Sequence, residues 1–238
     1  MILLALESSA GSCSVALWDA GAPGTKAQIA FDRSVRPRGQ ADRLVPMAEA
    51  AMGQAGLDYR DLHAIAVNHG PGSFTGVRSA VAAARGFALA ASLPVFGVSG
   101  LEALAGLIDP SGDALVMVAI DARRGQVYAQ TFAPGGPGLQ PLAEPRVLGP
   151  AQVAEEIGGR ACVLAGSGAP LVAAALPEAA RVTMPQLELD AGAVARRAAQ
   201  RLASGEVPQP GFAVRPLYLR EPDGRPAAPL FPALAAAG

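Results

Sequence analysis

The chain has 238 residues, of which 51% are hydrophobic, and this is enough apolar material for one large or two small domains with a buried core. A formal net charge of −1 and a pI near 6.1 give it no broad positive field, so tight unaided binding of nucleic acid is not expected. Two widely spaced cysteines, Cys13 and Cys162, do not supply the disulfide framework of a small secreted domain, and a reduced, cytoplasmic protein is expected.

The first half of the sequence alternates strand and helix patterns. Its apolar start, residues 2–6, lacks a basic flank and meets Glu7 too early for a signal sequence or a membrane span. Instead it predicts a β-hairpin with residues 12–18. Apolar residues at helical spacing then predict a helix over residues 40–55 that ends at Gly56. The pattern continues with strands over residues 63–68 and 94–98 and a helix over residues 77–91 between them.

The second half of the sequence repeats the start of the first. At an offset of 114 residues, Glu7 and Gly11 align with Asp121 and Gly125, each pair lying between two strand-like runs. Two unrelated hairpins would share part of this pattern. The remaining pattern predicts a helix over residues 151–157, a strand over residues 162–165, a helix after Gly168, a strand around Val182 and a helix over residues 191–203. Two α/β halves of similar plan are the simplest interpretation.

Proline and glycine are concentrated in two places. Residues 133–145 predict a loop insertion, and the tail from residue 221 is expected to be poorly ordered. A third glycine-rich segment, from Gly70 to Gly76, is the clearest local motif. It matches neither a Walker A loop nor the G-x-G-x-x-G fingerprint, so it is either a structural turn into a helix or an anion-binding loop.

Glu7 and Asp121 occupy matching positions at the ends of two predicted strands. With Ser9 close by, the Glu7 carboxylate either orients a metal or phosphate or accepts backbone amide hydrogen bonds across the hairpin. Arg123 follows Asp121 and is either an anion contact or half of a surface ion pair.

Little in the sequence indicates catalysis. His63 and His69 are the only histidines, and neither a histidine pair nor a cysteine pair supplies a zinc site. We therefore expect no catalytic residue and no metal site. The helix over residues 77–91 is apolar nearly all round, so it is either sandwiched inside the fold or covered by a partner helix.

Four sequence blocks, in order, resemble the TsaB (YeaZ) family over residues 1–221. They are Leu4-Ala-Leu-Glu-Ser-Ser with Cys13-Ser-Val-Ala-Leu, Gly70-Pro-Gly-Ser-Phe-Thr-Gly-Val-Arg, Ile120-Asp-Ala-Arg-Arg-Gly-Gln-Val-Tyr and Pro216-Leu-Tyr-Leu-Arg. The resemblance implies an α/β fold of two tandem actin-like (ASKHA, RNase H-like) domains. They would cover residues 1–104 and 105–221, followed by a loose tail over residues 222–238.

The resemblance also implies a function. The implied protein is a non-catalytic subunit, without protease activity, that supports transfer of the threonylcarbamoyl group to N6 of adenosine 37 in tRNA. The implied partners are the catalytic paralogue TsaD, the ATPase TsaE and a second copy of the chain, with tRNA bound only through the complex and no membrane contact. No cofactor is expected on the isolated chain beyond weak binding of ATP or ADP.

Two groups of residues are candidates for this role. A docking face is expected on the helices over residues 40–55 and 77–91, with apolar contacts from Leu44, Met47, Val77, Val81 and Ala84 and a charged rim from Arg43, Arg78 and Arg85. A vestigial nucleotide cleft between the halves is expected at Glu7, Ser9, Asp121 and Arg123.

Departures from the family pattern restrict these expectations. Family members usually carry Asp at the position of Glu7 and His near Gln40. The TsaD-like relative carries a metal-binding histidine pair where this chain has Ser99-Gly-Leu-Glu-Ala-Leu, so a metal-dependent transfer would lack its ligands here. Two other classes of protein fit the sequence less well. An actin-fold kinase would need a catalytic aspartate and phosphate loops that we do not find, and a nucleic-acid-binding module is disfavoured by the charge.

Overall fold

The computed structural model describes residues 1–35, 41–109, 114–135, 138–177, 181–184 and 187–220. Within them the chain forms two six-stranded sheets and six α-helices. The elements of the first half are β1 (Ile2–Glu7), β2 (Cys13–Asp19), β3 (Gln28–Ser34), α1 (Leu44–Ala55), β4 (Leu62–Asn68), α2 (Phe74–Ala91), β5 (Pro94–Val98) and α3 (Gly100–Ala105). Those of the second half are β6 (Leu115–Asp121), β7 (Val127–Gly135), β8 (Gly138–Pro141), β9 (Arg146–Leu148), α4 (Pro150–Ile157), β10 (Cys162–Ala165), α5 (Ala169–Ala173), β11 (Arg181–Met184), α6 (Ala191–Ala203) and β12 (Gln209–Pro210).

Both sheets are mixed. The first has the order β12-β5-β4-β1-β2-β3, in which β1 pairs antiparallel with β2 and parallel with β4. The second has the order β11-β10-β6-β7-β8, with β9 paired to β7. Because β12 pairs with β5, the chain after α6 returns to the edge of the first sheet.

The core is layered. Along β1, Leu4 and Leu6 pack with α1 and α2, whereas Leu3 and Ala5 pack into the opposite cluster, which contains α3 and α6. That central cluster also contains Val116 of β6, so α3 and α6 lie between the two sheets. The helices α4 and α5 cover the outer face of the second sheet. Burial on both faces explains why the inner strands are continuous apolar runs.

The predicted hairpin repeat is confirmed. The first hairpin ends β1 at Glu7 and begins β2 at Cys13, and the second ends β6 at Asp121 and begins β7 at Val127. The strands over residues 94–98 and 162–165 and the helix over residues 191–203 have the predicted bounds. Gly56 ends α1 in the left-handed conformation, as expected.

Other predictions need correction. Residues 133–145 are not a simple loop insertion, because β7 continues to Gly135 and pairs antiparallel with β8. The second predicted helix begins three residues early, at Phe74, because the Ser73 hydroxyl caps it. The pattern missed β3, an edge strand with exposed polar residues, and α3, which is too short to show a helical period. Gln40 and the tail over residues 221–238 lie outside the described residues.

No helix in the described ranges has both the length and the apolar character needed to cross a membrane.

Candidate functional site

The turn between β1 and β2 holds a buried carboxyl group. The Glu7 Oε1 atom accepts hydrogen bonds from the Ser9 amide at 2.5 Å, the Ser9 hydroxyl at 2.7 Å and the Asn68 amide nitrogen at 3.2 Å. Asn68 in turn accepts from the Gly70 amide at 2.9 Å, which ties the network to the glycine-rich loop. The other Glu7 oxygen, Oε2, is buried and has no partner among the described residues.

The glycine-rich loop is packed directly on this turn. The Ser73 amide donates to the Ser9 carbonyl at 3.0 Å, and the Ser8 hydroxyl donates to the Gly76 carbonyl at 2.7 Å. A Cβ atom on Gly72 would overlap Ser9, and one on Gly76 would overlap the Ser8 carbonyl. The glycines therefore allow two segments of backbone to touch, and these contacts favour the structural turn over the anion-binding loop.

Burial raises the pKa of Glu7 to about 7, and the negative charge of Asp190 adds a smaller increase. The hydrogen bonds from Ser9 and Asn68 lower the pKa but do not offset burial. A large fraction of Glu7 is therefore protonated near neutral pH. Glu7 and Ser9 are both buried beneath the loop, so neither side chain is presented to solvent. Whether the chain binds nucleotide stays a prediction.

The matching turn between β6 and β7 is open to solvent. The Asp121 side chain is 31% exposed, and its carboxylate accepts from the Arg123 amide at 2.7 Å and lies 3.4 Å from the Arg123 guanidinium, which is 87% exposed. Arg123 and Arg124 have φ values of 62° and 57°, and Gly125 continues this left-handed run at 70°. Such φ values are uncommon for residues other than glycine. Within the described chain, no hydrogen bond joins this pair to Glu7 or Ser9.

A C-terminal segment, residues 211–220, connects these regions; its last five residues were identified in the sequence only as part of the family resemblance, without a contact. The Arg220 guanidinium donates to the Ala122 carbonyl at 2.8 Å and the Gln126 side chain at 2.5 Å, holding the β6–β7 turn. Arg85 of α2 donates to the Val214 carbonyl from Nε at 3.1 Å. The motif containing Arg220 was visible in the sequence, but its contact lies about a hundred residues away and no local pattern indicates it.

The apolar part of the predicted docking face needs correction, and docking itself stays a prediction. Its five apolar residues are buried against the first sheet, so they do not supply exposed surface: Leu44, Met47, Val77, Val81 and Ala84. Helical spacing correctly identifies the apolar face of each helix, but this face packs on β1, β2 and β4 of the first sheet. Arg85 is half-buried and bound to the C-terminal segment rather than part of a rim, whereas Arg43 and Arg78 are exposed.

A different face of α2 is open. It presents Phe74, Arg78, Ala82 and Leu89, which lie along one stripe of the helix, and the Leu89 side chain is 85% exposed. Arg78 lies over the Phe74 ring at 4.6 Å, and Tyr218 stacks on the same ring at 5.2 Å. We call these residues, with Tyr218, the α2 stripe.

A cavity of about 620 Å³ lies where the two halves and the C-terminal segment meet. Its lining includes His69, Glu102, Gln130, Arg201 and Leu217. None of the predicted nucleotide-cleft residues lines it. Among the described residues no group of three His, Cys, Asp or Glu side chains is arranged to hold a metal ion.

The paired hairpins, the two mixed sheets and the helices between them define a protein of the actin-like (ASKHA) class. Residues 35–187 match the family model described as TsaD: tRNA N6-adenosine threonylcarbamoyltransferase. YeaZ from Pseudomonas aeruginosa superposes with a TM-score of 0.78 and is 32% identical, over 92% of this chain and 99% of that one. The chain belongs to the TsaB (YeaZ) family.

Two sequence relatives show how far the similarity extends, and one of them carries the TsaB name. The tRNA threonylcarbamoyladenosine biosynthesis protein TsaB of Escherichia coli is 40% identical over 129 residues, which are 54% of this chain and 53% of that protein. The chain therefore aligns with about half the length of that relative. An uncharacterised protein of Mycobacterium tuberculosis is 37% identical over 197 residues, which are 82% of each chain.

Proposed function

We propose that this chain takes part in tRNA threonylcarbamoyladenosine biosynthesis as a non-catalytic subunit that binds the transferase TsaD. The name of the Escherichia coli relative and the match to the TsaD family model support the pathway. In this proposal TsaE joins through the complex, and tRNA is bound by the assembly rather than by this chain alone.

The observation that carries the proposal is the α2 stripe. Phe74 and Tyr218 are each 45% exposed and stacked, and Leu89 is almost fully exposed on an otherwise well-packed helix. Stacked aromatics next to an arginine are typical of residues that dominate the energy of protein interfaces. The opposite face of α2 is fixed on the first sheet, so the stripe is presented on a rigid support.

A non-catalytic role is supported by the state of the acidic turns. Glu7, a residue of the predicted nucleotide cleft, is buried and shares its hydrogen-bond network with the glycine-rich loop. Asp121 is committed to its own turn and to Arg123. Transfer chemistry therefore belongs to the partner in this proposal.

Two variants test this proposal, and in each of them one exposed alanine, on a different helix, is changed to arginine. Ala82→Arg places a bulky cation at the centre of the α2 stripe, and we expect it to abolish co-purification with TsaD and tRNA modification by the reconstituted complex. Ala151→Arg, on exposed α4 in the second half, is the matched control and should bind as the parent chain does. Unchanged TsaD binding by a folded Ala82→Arg protein would contradict the proposal.

The same stripe is proposed to mediate association of two copies of the chain. If the α2 stripe forms both the homodimer and the complex with TsaD, the two associations exclude each other. Adding TsaD should then dissociate the homodimer, and light scattering of mixtures will show the heterodimer in its place. Persistence of the homodimer within a larger complex would require a second surface.

A further inference from the structure

The cavity between the halves has the chemistry of a binding site. Its walls come from the end of β4, from β5, α3 and α6, from β7 and from residues 141–145 of the second half. A volume of about 620 Å³ is within the range of small-molecule pockets, roughly 300–1,000 Å³. Apolar side chains contribute part of the wall: Pro141, Leu142, Pro145 and Leu217.

The cation in the wall is already engaged. Arg201 donates from Nε to Glu206 at 2.7 Å, from Nη2 to the second oxygen of the same carboxylate, and from Nη1 to the Gly97 carbonyl at 2.7 Å. Its guanidinium also lies 5.8 Å from the centre of the Phe96 ring. An anionic ligand would have to displace this bidentate carboxylate, so Arg201 is not an open anion site.

Unlike Arg201, the hydrogen-bond acceptors in the cavity wall are not saturated by donors of the described chain. The Glu102 carboxylate, 24% exposed, lies 3.8 Å from Arg201 and 3.9 Å from Arg197, beyond hydrogen-bonding distance of both. No hydrogen bond from the described residues reaches its oxygens. In the part of the chain that the structure describes, the charged side chains that line the cavity are two carboxylates, Glu102 and Glu144, and one cation, Arg201, whose charge is already paired with Glu206.

His69 adds a second acceptor. Its Nδ1 atom is 3.0 Å from the Arg215 carbonyl, and since a carbonyl only accepts, Nδ1 must carry the proton. Burial lowers the pKa of His69, so the ring is neutral at pH 7 and Nε2 is left as an acceptor. The wall therefore offers a carboxylate and an imidazole acceptor beside apolar surface, a combination that favours a cationic donor and disfavours phosphate or carboxylate groups.

We propose that this cavity binds a small molecule with an apolar body and a primary ammonium group, held by the Glu102 carboxylate. The ammonium supplies the hydrogen bonds that the two arginines do not make to Glu102, and the apolar body packs on residues 141–145 and Leu217. The site is independent of the α2 stripe and goes beyond the proposed function of the chain.

The experiment uses three five-carbon probes that differ in charge: n-pentylammonium, 1-pentanol and pentanoate. Each is titrated into the isotope-labelled full chain at pH 7 while backbone amide signals are followed. We expect pentylammonium to shift the amides of Gly97, Glu102 and Leu142 with an affinity at least tenfold above that of pentanol, and pentanoate to cause no shift there.

Glu102→Gln keeps the size and hydrogen-bonding shape of the side chain but removes its charge, and should weaken pentylammonium binding at least tenfold. Glu155→Gln, at an exposed carboxylate of α4 that does not line the cavity, is the matched control and should change the affinity by less than threefold. Absence of pentylammonium binding, equal binding of pentanoate, or unchanged binding by a folded Glu102→Gln protein would each overturn the proposal.

Discussion

The β1–β2 and β6–β7 turns have the same place in two repeated hairpins and opposite environments. Glu7 is fully buried, with its carboxyl bound by Ser9 and Asn68, whereas Asp121 is 31% exposed and pairs with a solvent-exposed arginine. The glycine-rich loop covers the first turn, and the second is held by Arg220 from outside. Repeated backbone plans therefore do not imply repeated chemistry, because the segments that pack on the repeats differ.

The largest expected effect comes from filling the contact beneath the first turn. Gly76→Ala would place Cβ against the Ser8 carbonyl, a backbone atom that cannot move without disturbing α2, so we expect the free energy of unfolding to fall by about 3 kcal/mol or more. In the second turn, Gly125→Ala meets open space and adds only left-handed strain of about 1 kcal/mol. Urea denaturation of both variants measures the difference, and equal losses would remove the contrast between the turns.

A second expected effect concerns pH. Because burial raises the pKa of Glu7 from 4.5 to about 7, the folded state binds the proton more tightly than the unfolded state. The resulting stabilisation is complete below pH 4.5 and is lost as the pH rises through 7, an effect of roughly 3 kcal/mol. Glu7→Gln should remove this slope from the unfolding free energy between pH 5 and 8. A slope that survives in the variant would assign it to another group.

A smaller expected effect separates function from stability at the second turn. Arg123 is 87% exposed and its ion pair with Asp121 is 3.4 Å long, so Arg123→Ala should change the free energy of unfolding by less than about 0.5 kcal/mol. We expect it to lower tRNA modification by the reconstituted complex, since an exposed arginine aimed at a partner or nucleotide contributes charge-assisted hydrogen bonds. Thermal melts and modified-nucleoside analysis provide the two measurements. A variant as active as the parent chain would leave Arg123 with a turn-forming role alone.

The smallest expected effect is nucleotide binding by the free chain. With Glu7 covered and Asp121 committed to its turn, ATP should bind no more tightly than about millimolar, close to −4 kcal/mol. Calorimetry on the isolated chain tests this. Micromolar affinity would mean that the first turn opens in solution.

The sequence predicted well those elements whose signal is local. The inner strands β1, β4 and β5 are buried on both faces and appear as continuous apolar runs, and α6 has a clear period between its Asp190 cap and Ser204. The edge strand β3 carries no such signal, because most of its side chains face solvent.

The site was harder to predict because its contacts are distant in sequence. Helical spacing showed that Val77, Val81 and Ala84 share a face, but could not show that the first sheet, rather than a partner, covers them. Arginine at Val81 or Ala84 would consequently unfold the chain rather than test docking. Likewise, Glu7 is bound by Asn68, and the β6–β7 turn is held by Arg220. Both residues are far in sequence from the turns that they contact.

The position of α6 affects how the chain can fold during its synthesis. This helix lies between the two sheets and its first amide, at Ala191, donates to the Ser14 hydroxyl of β2 at 2.9 Å. A ribosome releases β1 and β2 well before α6, so one face of the first sheet, with Leu3, Ala5 and Ala16, stays uncovered until the last fifth of the chain emerges. Nascent chains stalled before residue 191 should therefore recruit chaperones that bind apolar surface, and a fragment of residues 1–104 should aggregate when expressed alone.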